Sequence, residues 1–162
     1  MINITACFQS IHLFPGISGI FVGCFVPCLL WGFFYRSKKA PSYDMDPKGV
    51  VGAFEPFLAR YLRLSEAIVG LSTGSIVLLV GSSIFHSQSG HLPWFYASPL
   101  FLLAFCILYA TLFSNWIAFQ YEGYRHGDKY MKYGYAITET LGFSSLVCFV
   151  LGYMWLIAAV TR

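Results

Sequence analysis

Three polar side chains fall where an apolar chain least tolerates them. Glu66, Asn115 and Glu139 lie inside or at the edge of long hydrophobic runs, and counting about 20 residues inward from the aromatics Trp94 and Trp155 places Asn115 and Glu139 at one depth. Glu66, at the start of its run, falls at the same depth. Ionisable groups within a membrane are costly and turn towards partners or a wet cavity. A layer of Glu66, Asn115 and Glu139, with Ser72, Thr73 and Thr138 nearby, is therefore the first candidate polar site. In an oligomer such carboxylates would form the acidic ring of a cation path. The plainer alternative pairs Glu66 with Arg63 at three-residue spacing and lets Glu139 reach interfacial water.

His12, His86 and His91 form a second candidate, because all three fall near the opposite membrane surface. Three imidazoles hold zinc or copper with one position left open. No two of them have the close helical spacing of a metal motif. Haem would need facing histidines deep within a bundle, and the apolar runs contain none. The pair Cys24 and Cys28 has three intervening residues rather than the two of a thiol redox motif and lies in mid-membrane, as do Cys106 and Cys148. A disulfide catalyst keeps its thiols on the oxidising side, so the cysteines read as small apolar residues. The chain has no phosphate-binding glycine loop, no His-Glu-x-x-His and no nucleophile elbow. No cofactor is expected.

The elements that must position these residues are four apolar segments, at about 11–35, 64–85, 94–119 and 136–160, each long enough to cross a hydrocarbon core. In 162 residues they leave loops too short for a separate soluble core. A mean hydropathy of +0.66 with 10% charged residues agrees. The prediction is an all-α integral membrane protein: one domain, four transmembrane helices in an antiparallel bundle.

Charge sets the expected orientation. The 36–63 loop carries Arg36, Lys38, Lys39, Lys48, Arg60 and Arg63, the 86–93 loop carries no Lys or Arg, and the 120–135 loop carries Arg125, Lys129 and Lys132. The positive-inside rule places the first and third loops in the cytoplasm and both termini outside. Residues 1–10 hold no Lys or Arg and no cleavage site follows the first apolar run, so that run is expected to stay as a span. The basic residues are loop flanks interleaved with acidic ones, which speaks against nucleic acid as a partner.

Helices 2–4 are expected to extend past the membrane into the cytoplasm. Pro56 suits a first helical turn, and Gly127-Asp128 reads as a tight turn between two projecting arms. The tyrosines and cations there, Tyr124, Arg125, Lys129 and Tyr130 among them, fit an interfacial belt or a docking surface for protein or lipid headgroups. Small residues at four-residue spacing, notably Gly19 with Gly23 and Gly70 with Gly74, predict close helix packing, within the bundle or between copies. Pro27 is expected to bend the first span.

These features favour a non-enzymatic small subunit of a larger membrane complex. A homo-oligomeric ion channel or pore is the alternative, and a small membrane metal-binding protein or enzyme the second alternative. The expected partners are membrane lipid and other membrane chains or copies of itself.

Overall fold

Hydrocarbon offers the backbone no hydrogen-bonding partner, so an apolar run of this length must satisfy its own amides as helix. The computed structural model describes residues 4–36, 54–81, 94–126 and 132–161, with side chains over 18–36, 59–81, 96–123, 126 and 133–161. Four helices fill those stretches: α1 (Ile4–Arg36), α2 (Phe54–Gly81), α3 (Trp94–Arg125) and α4 (Lys132–Val160). Each contains a stretch long and apolar enough to cross a membrane, namely Ser18–Arg36, Ala59–Gly81, Tyr96–Gly123 and Tyr133–Val160. This is a multi-pass α-helical membrane protein.

The helices outrun the apolar segments that identify them. With 28 to 33 residues apiece, they are roughly 42 to 50 Å long at 1.5 Å per residue, against a core of about 30 Å. α2 begins at Phe54, ten residues before the apolar segment that starts at 64 and close to Pro56, which lies in its first turn as expected. α1 begins at Ile4 rather than 11 and runs through Pro27 without interruption. At the end of α3 the His126 amide donates to both Glu122 and Gly123 carbonyls, at 3.2 and 3.1 Å, which tightens the last turn. The predicted Gly127-Asp128 turn and the 37–49 loop lie outside the described residues.

α3 is the central helix and touches all three others, whereas α1 and α2 make no contact with each other among the described residues. Leu102, Leu103, Cys106 and Ala110 of α3 are fully buried. α3 and α4 pack antiparallel in steady register. Gly134 sits against Gln120, Gly142 against Phe113 and Gly152 against Leu103, each close enough that an added Cβ would touch at 3.0 to 3.2 Å. Hydrogen bonds mark both ends of this seam, from Trp116 Nε1 to the Gly134 carbonyl (3.4 Å) and from Tyr96 Oη to the Ala159 carbonyl (3.4 Å).

α1 lies parallel to α3 and meets it at two glycines. A Cβ on Gly19 would stand 2.6 Å from the Ser98 carbonyl oxygen, and one on Gly23 would run into the Phe105 ring. Ser18 and Ser98 hydroxyls lie 3.4 Å apart beside this crossing. Pro27 has no amide hydrogen, so the carbonyl four residues before it loses its helical donor. That carbonyl belongs to Gly23, and the buried Tyr109 hydroxyl of α3 donates to it at 2.9 Å. Phe105 and Tyr109 stack with ring centroids 5.9 Å apart, so one aromatic pair fills the space the glycine leaves and satisfies the bond the proline removes. Towards the basic end, α1 leans on α4 through Trp31 with Tyr133 and Phe34 with Phe143.

α2 docks through hydroxyl groups. Ser65 Oγ donates to the Ala110 carbonyl (3.4 Å) and lies 3.5 Å from Ser114 Oγ, while Ser72 Oγ points at Cys106 Sγ (3.6 Å). Tyr153 of α4 donates to the Leu71 carbonyl at 3.1 Å and pairs with the Ser75 hydroxyl. Ser65, Ile68, Ser72 and Ser75 recur at three- and four-residue steps, which puts them on one face of the helix.

Three outcomes are expected from these contacts. Tyr109→Phe should cost about 1–2 kcal/mol, because it strands a buried carbonyl. In a Pro27→Ala background, where residue 27 regains its amide, the same change should cost much less. A double-mutant cycle from detergent unfolding reads the difference, and equal losses in both backgrounds would separate Tyr109 from Pro27. Gly19→Ala should cost about 1–3 kcal/mol through backbone overlap with Ser98. Gly70→Ala and Gly74→Ala, with nothing within 4 Å of the added carbon, should leave monomer unfolding unchanged or raise it slightly through helix propensity.

Candidate functional site

The outward face of α2 inverts the usual arrangement of a membrane helix. Arg63, Glu66, Ala67, Gly70, Thr73, Gly74, Val77 and Gly81 are all exposed and follow one another at three- and four-residue steps, opposite the serine seam. Added Cβ atoms at Gly70, Gly74 and Gly81 would meet nothing within 4 Å. The result is a shallow channel of bare backbone flanked by Val77 and Leu78, which are 63% and 75% exposed. Thus the Gly19 and Gly23 pair packs inside the bundle, and the Gly70 and Gly74 pair opens outward.

Depth makes this face unusual. Ser65 lies against Ala110 and Ser114 of α3, which puts the neighbouring Glu66 about 22 Å along the bundle from Tyr96 at 1.5 Å per residue, still within a core of about 30 Å. Glu66 makes no hydrogen bond or ion pair among the described residues, and none joins it to Arg63 three positions earlier. A carboxylate at this depth, turned away from its own bundle, is where a partner or a wet boundary is required. Thr73 adds a second outward polar group two turns further along.

The other residues of the candidate layer lie on other helices. Asn115 is exposed on α3, and Glu139 is partly buried on α4. Gly70 and Gly74 share an outward surface with Glu66. Thr138 is buried and returns its hydroxyl to the Gly134 carbonyl at 2.9 Å, as a helix-internal bond.

Among the described residues no three His, Cys, Asp or Glu side chains gather as a metal site. His86, His91 and the His12 side chain lie outside those residues. Of the projected docking surface, Tyr124 and Arg125 belong to the last turn of α3, with side chains outside the described set, as are Lys129 and Tyr130 altogether. Cys24 and Cys28 are exposed on α1, and Cys106 and Cys148 are buried free thiols. An open groove is lined by Cys28, Leu29, Gly32, Phe33 and Arg36, all of α1.

Two features escape the sequence reading. The three-point docking of Ser65, Ser72 and Ser75 has a visible signal in its helical spacing, yet serines and glycines at such spacing look alike as small residues. The Tyr109 bond to Gly23 has only a partial signal, since Pro27 announces an orphaned carbonyl without saying which chain segment answers it. No protein-family model, no curated protein sequence and no solved structure matches the chain.

Proposed function

We propose that this protein works by assembly, as a small non-enzymatic subunit of a larger membrane complex, with the outer face of α2 as its lateral interface. The observation that carries this reading is Glu66, a carboxylate at membrane depth on an outward face with no hydrogen bond or ion pair among the described residues. A charged side chain at the bilayer centre costs about 2.5–3.5 kcal/mol on insertion scales, and Glu66, nearer the edge of the core, bears a smaller cost of the same kind. A neighbouring chain that supplies a cation or hydroxyl removes most of that cost. The open backbone at Gly70 and Gly74 lets such a neighbour approach closely, and close approach is the chief source of attraction between helices in lipid.

In this reading the loops 36–63 and 120–135 face the cytoplasm and both termini face outside, as the charge asymmetry favours. Tyr124, Arg125, Lys129 and Tyr130 then form a second docking surface at the cytoplasmic end, for protein or anionic lipid. The pore alternative draws on the same outward Glu66, together with the exposed Asn115. The face of Glu66 also carries Arg63 and Thr73, but Ala67, Gly70, Gly74, Val77 and Gly81 make up the rest of it, which suits a packed seam better than a water-filled wall.

Extraction into nanodiscs at natural expression level, followed by native mass spectrometry, tests the proposal. The expected mass exceeds the 18.2 kDa of one chain, and Gly74→Leu, which fills the open channel, should release the monomer. A monomer at natural level, unaffected by Gly74→Leu, would overturn it.

A further inference from the structure

α1 leaves the membrane at an outward cation. Arg36, its last residue, is exposed and makes no hydrogen bond or ion pair among the described residues. Aromatic rings set the depth of this end: Tyr35 stacks on Trp31 with centroids 5.8 Å apart, and Trp31 meets the Tyr133 ring edge-on at 5.2 Å. Tryptophan and tyrosine gather at the level of lipid headgroups. One turn inward from Arg36 stands Gly32, where an added Cβ would meet nothing within 4 Å, and one turn further stands the exposed Cys28. Leu29 and Phe33, 57% and 70% exposed, form the ridge beside this row. The groove so made is lined by α1 alone among the described residues. Cys28 is eight positions from Arg36, about 12 Å along the helix, and lies in hydrocarbon when Arg36 is at the surface.

We infer that this groove holds one anionic phospholipid, with the phosphate on Arg36 and an acyl chain laid over Gly32 towards Cys28, against Leu29 and Phe33. The occupant follows from what lies at each end. A cation at headgroup depth that continues directly into an apolar notch fits a molecule whose anion and alkyl chain are joined. A soluble anion would use Arg36 alone and leave the notch unfilled. A guanidinium takes a phosphate through two parallel hydrogen bonds, and at the edge of a low-dielectric layer that attraction exceeds its value in water. Net charge then selects among lipids: phosphatidylcholine brings its own cation to compete with Arg36, whereas phosphatidylglycerol brings none. The site goes beyond the assembly proposal, because it lies on a helix that makes no contact with α2 among the described residues. It needs no particular orientation of the chain, and the one proposed above puts Arg36 in the leaflet where anionic lipids are concentrated.

Lipid retention by the full chain tests the inference. The protein is reconstituted in nanodiscs of phosphatidylcholine with a minor share of phosphatidylglycerol, and native mass spectrometry of the released protein identifies the lipid that stays bound. A single phosphatidylglycerol per chain should be retained, enriched at least about fivefold over its share of the bilayer, the scale of one cation at an anionic surface. Arg36→Gln should abolish the enrichment, and Arg36→Lys should keep part of it. Gly32→Leu, which fills the notch, should lower it as far as Arg36→Gln does, with an unchanged melting curve showing that the bundle is folded. Arg60→Gln removes the same charge from an exposed position on α2 at the same end of the bundle and should leave the enrichment unchanged.

Retention of the two lipids in proportion to the bilayer would overturn the inference. So would equal losses with Arg36→Gln and Arg60→Gln, the mark of a diffuse attraction, or a Gly32→Leu chain that melts normally and keeps its lipid, which takes the acyl chain out of the groove. None of these results bears on the mass test of assembly, so the two readings fail separately.

Discussion

One hydrogen bond holds together what Pro27 would otherwise divide. In water a carbonyl that loses its helical donor finds solvent; in hydrocarbon it finds nothing. Gly23 is at once the residue whose carbonyl Pro27 orphans and the residue whose missing side chain admits Phe105. Tyr109, stacked on Phe105, then delivers its hydroxyl to that carbonyl. Proline, glycine and tyrosine thus form a single device, and the placement of α1 against α3 follows from it. Since α3 also carries α2 and α4, the rest of the bundle is arranged around the helix that answers the proline.

The same rule explains why α2 looks inside out. Among soluble proteins a helix buries its bulky apolar face and leaves serines to water. Here Ser65, Ser72 and Ser75 face protein, while Val77, Leu78 and Val80 face outward. Lipid tails are as hospitable to leucine as a protein core is, so apolar bulk has little reason to turn inward. Hydroxyl groups do, because only protein offers them acceptors. Against that logic Glu66 and Thr73 stand as exceptions, being polar groups on the side that should be apolar. The adaptation is not complete even in the interior: Thr140 and Ser144 hydroxyls are buried without a partner among the described residues.

Most of the architecture was legible in the sequence, because a membrane reduces the question to where apolar runs begin and end. The four spans and their alternation follow from that alone. Helix ends were unevenly legible: Pro56 signalled the start of α2 at Phe54, whereas Ile4 starts α1 in a segment whose mixed polarity gives no membrane signal, and there helical structure outlasts hydropathy. Helix adjacency was not legible. Gly19 with Gly23 and Gly70 with Gly74 have the same spacing and the same residue type, yet one pair is pressed against Ser98 and Phe105 and the other meets nothing. Spacing tells which residues share a face; it does not say which way that face turns. Glu66 was visible as an anomaly for the same reason that its direction was not, since a charge is conspicuous in any window but carries no information about neighbours on other helices.

The separation between α1 and α2 bears on how the protein is made. Helices leave the ribosome in chain order, and a pair that touches can join as soon as its second member is inserted. Here the first two have no mutual surface among the described residues, so neither can steady the other. At roughly 5–20 residues per second, α3 is completed some seconds after α2, and throughout that interval the Ser65, Ser72 and Ser75 hydroxyls lack their acceptors on α3 and α4. Biogenesis therefore contains an obligatory waiting period, in which two unacquainted helices depend on the insertion machinery or on lipid until the third arrives to join them.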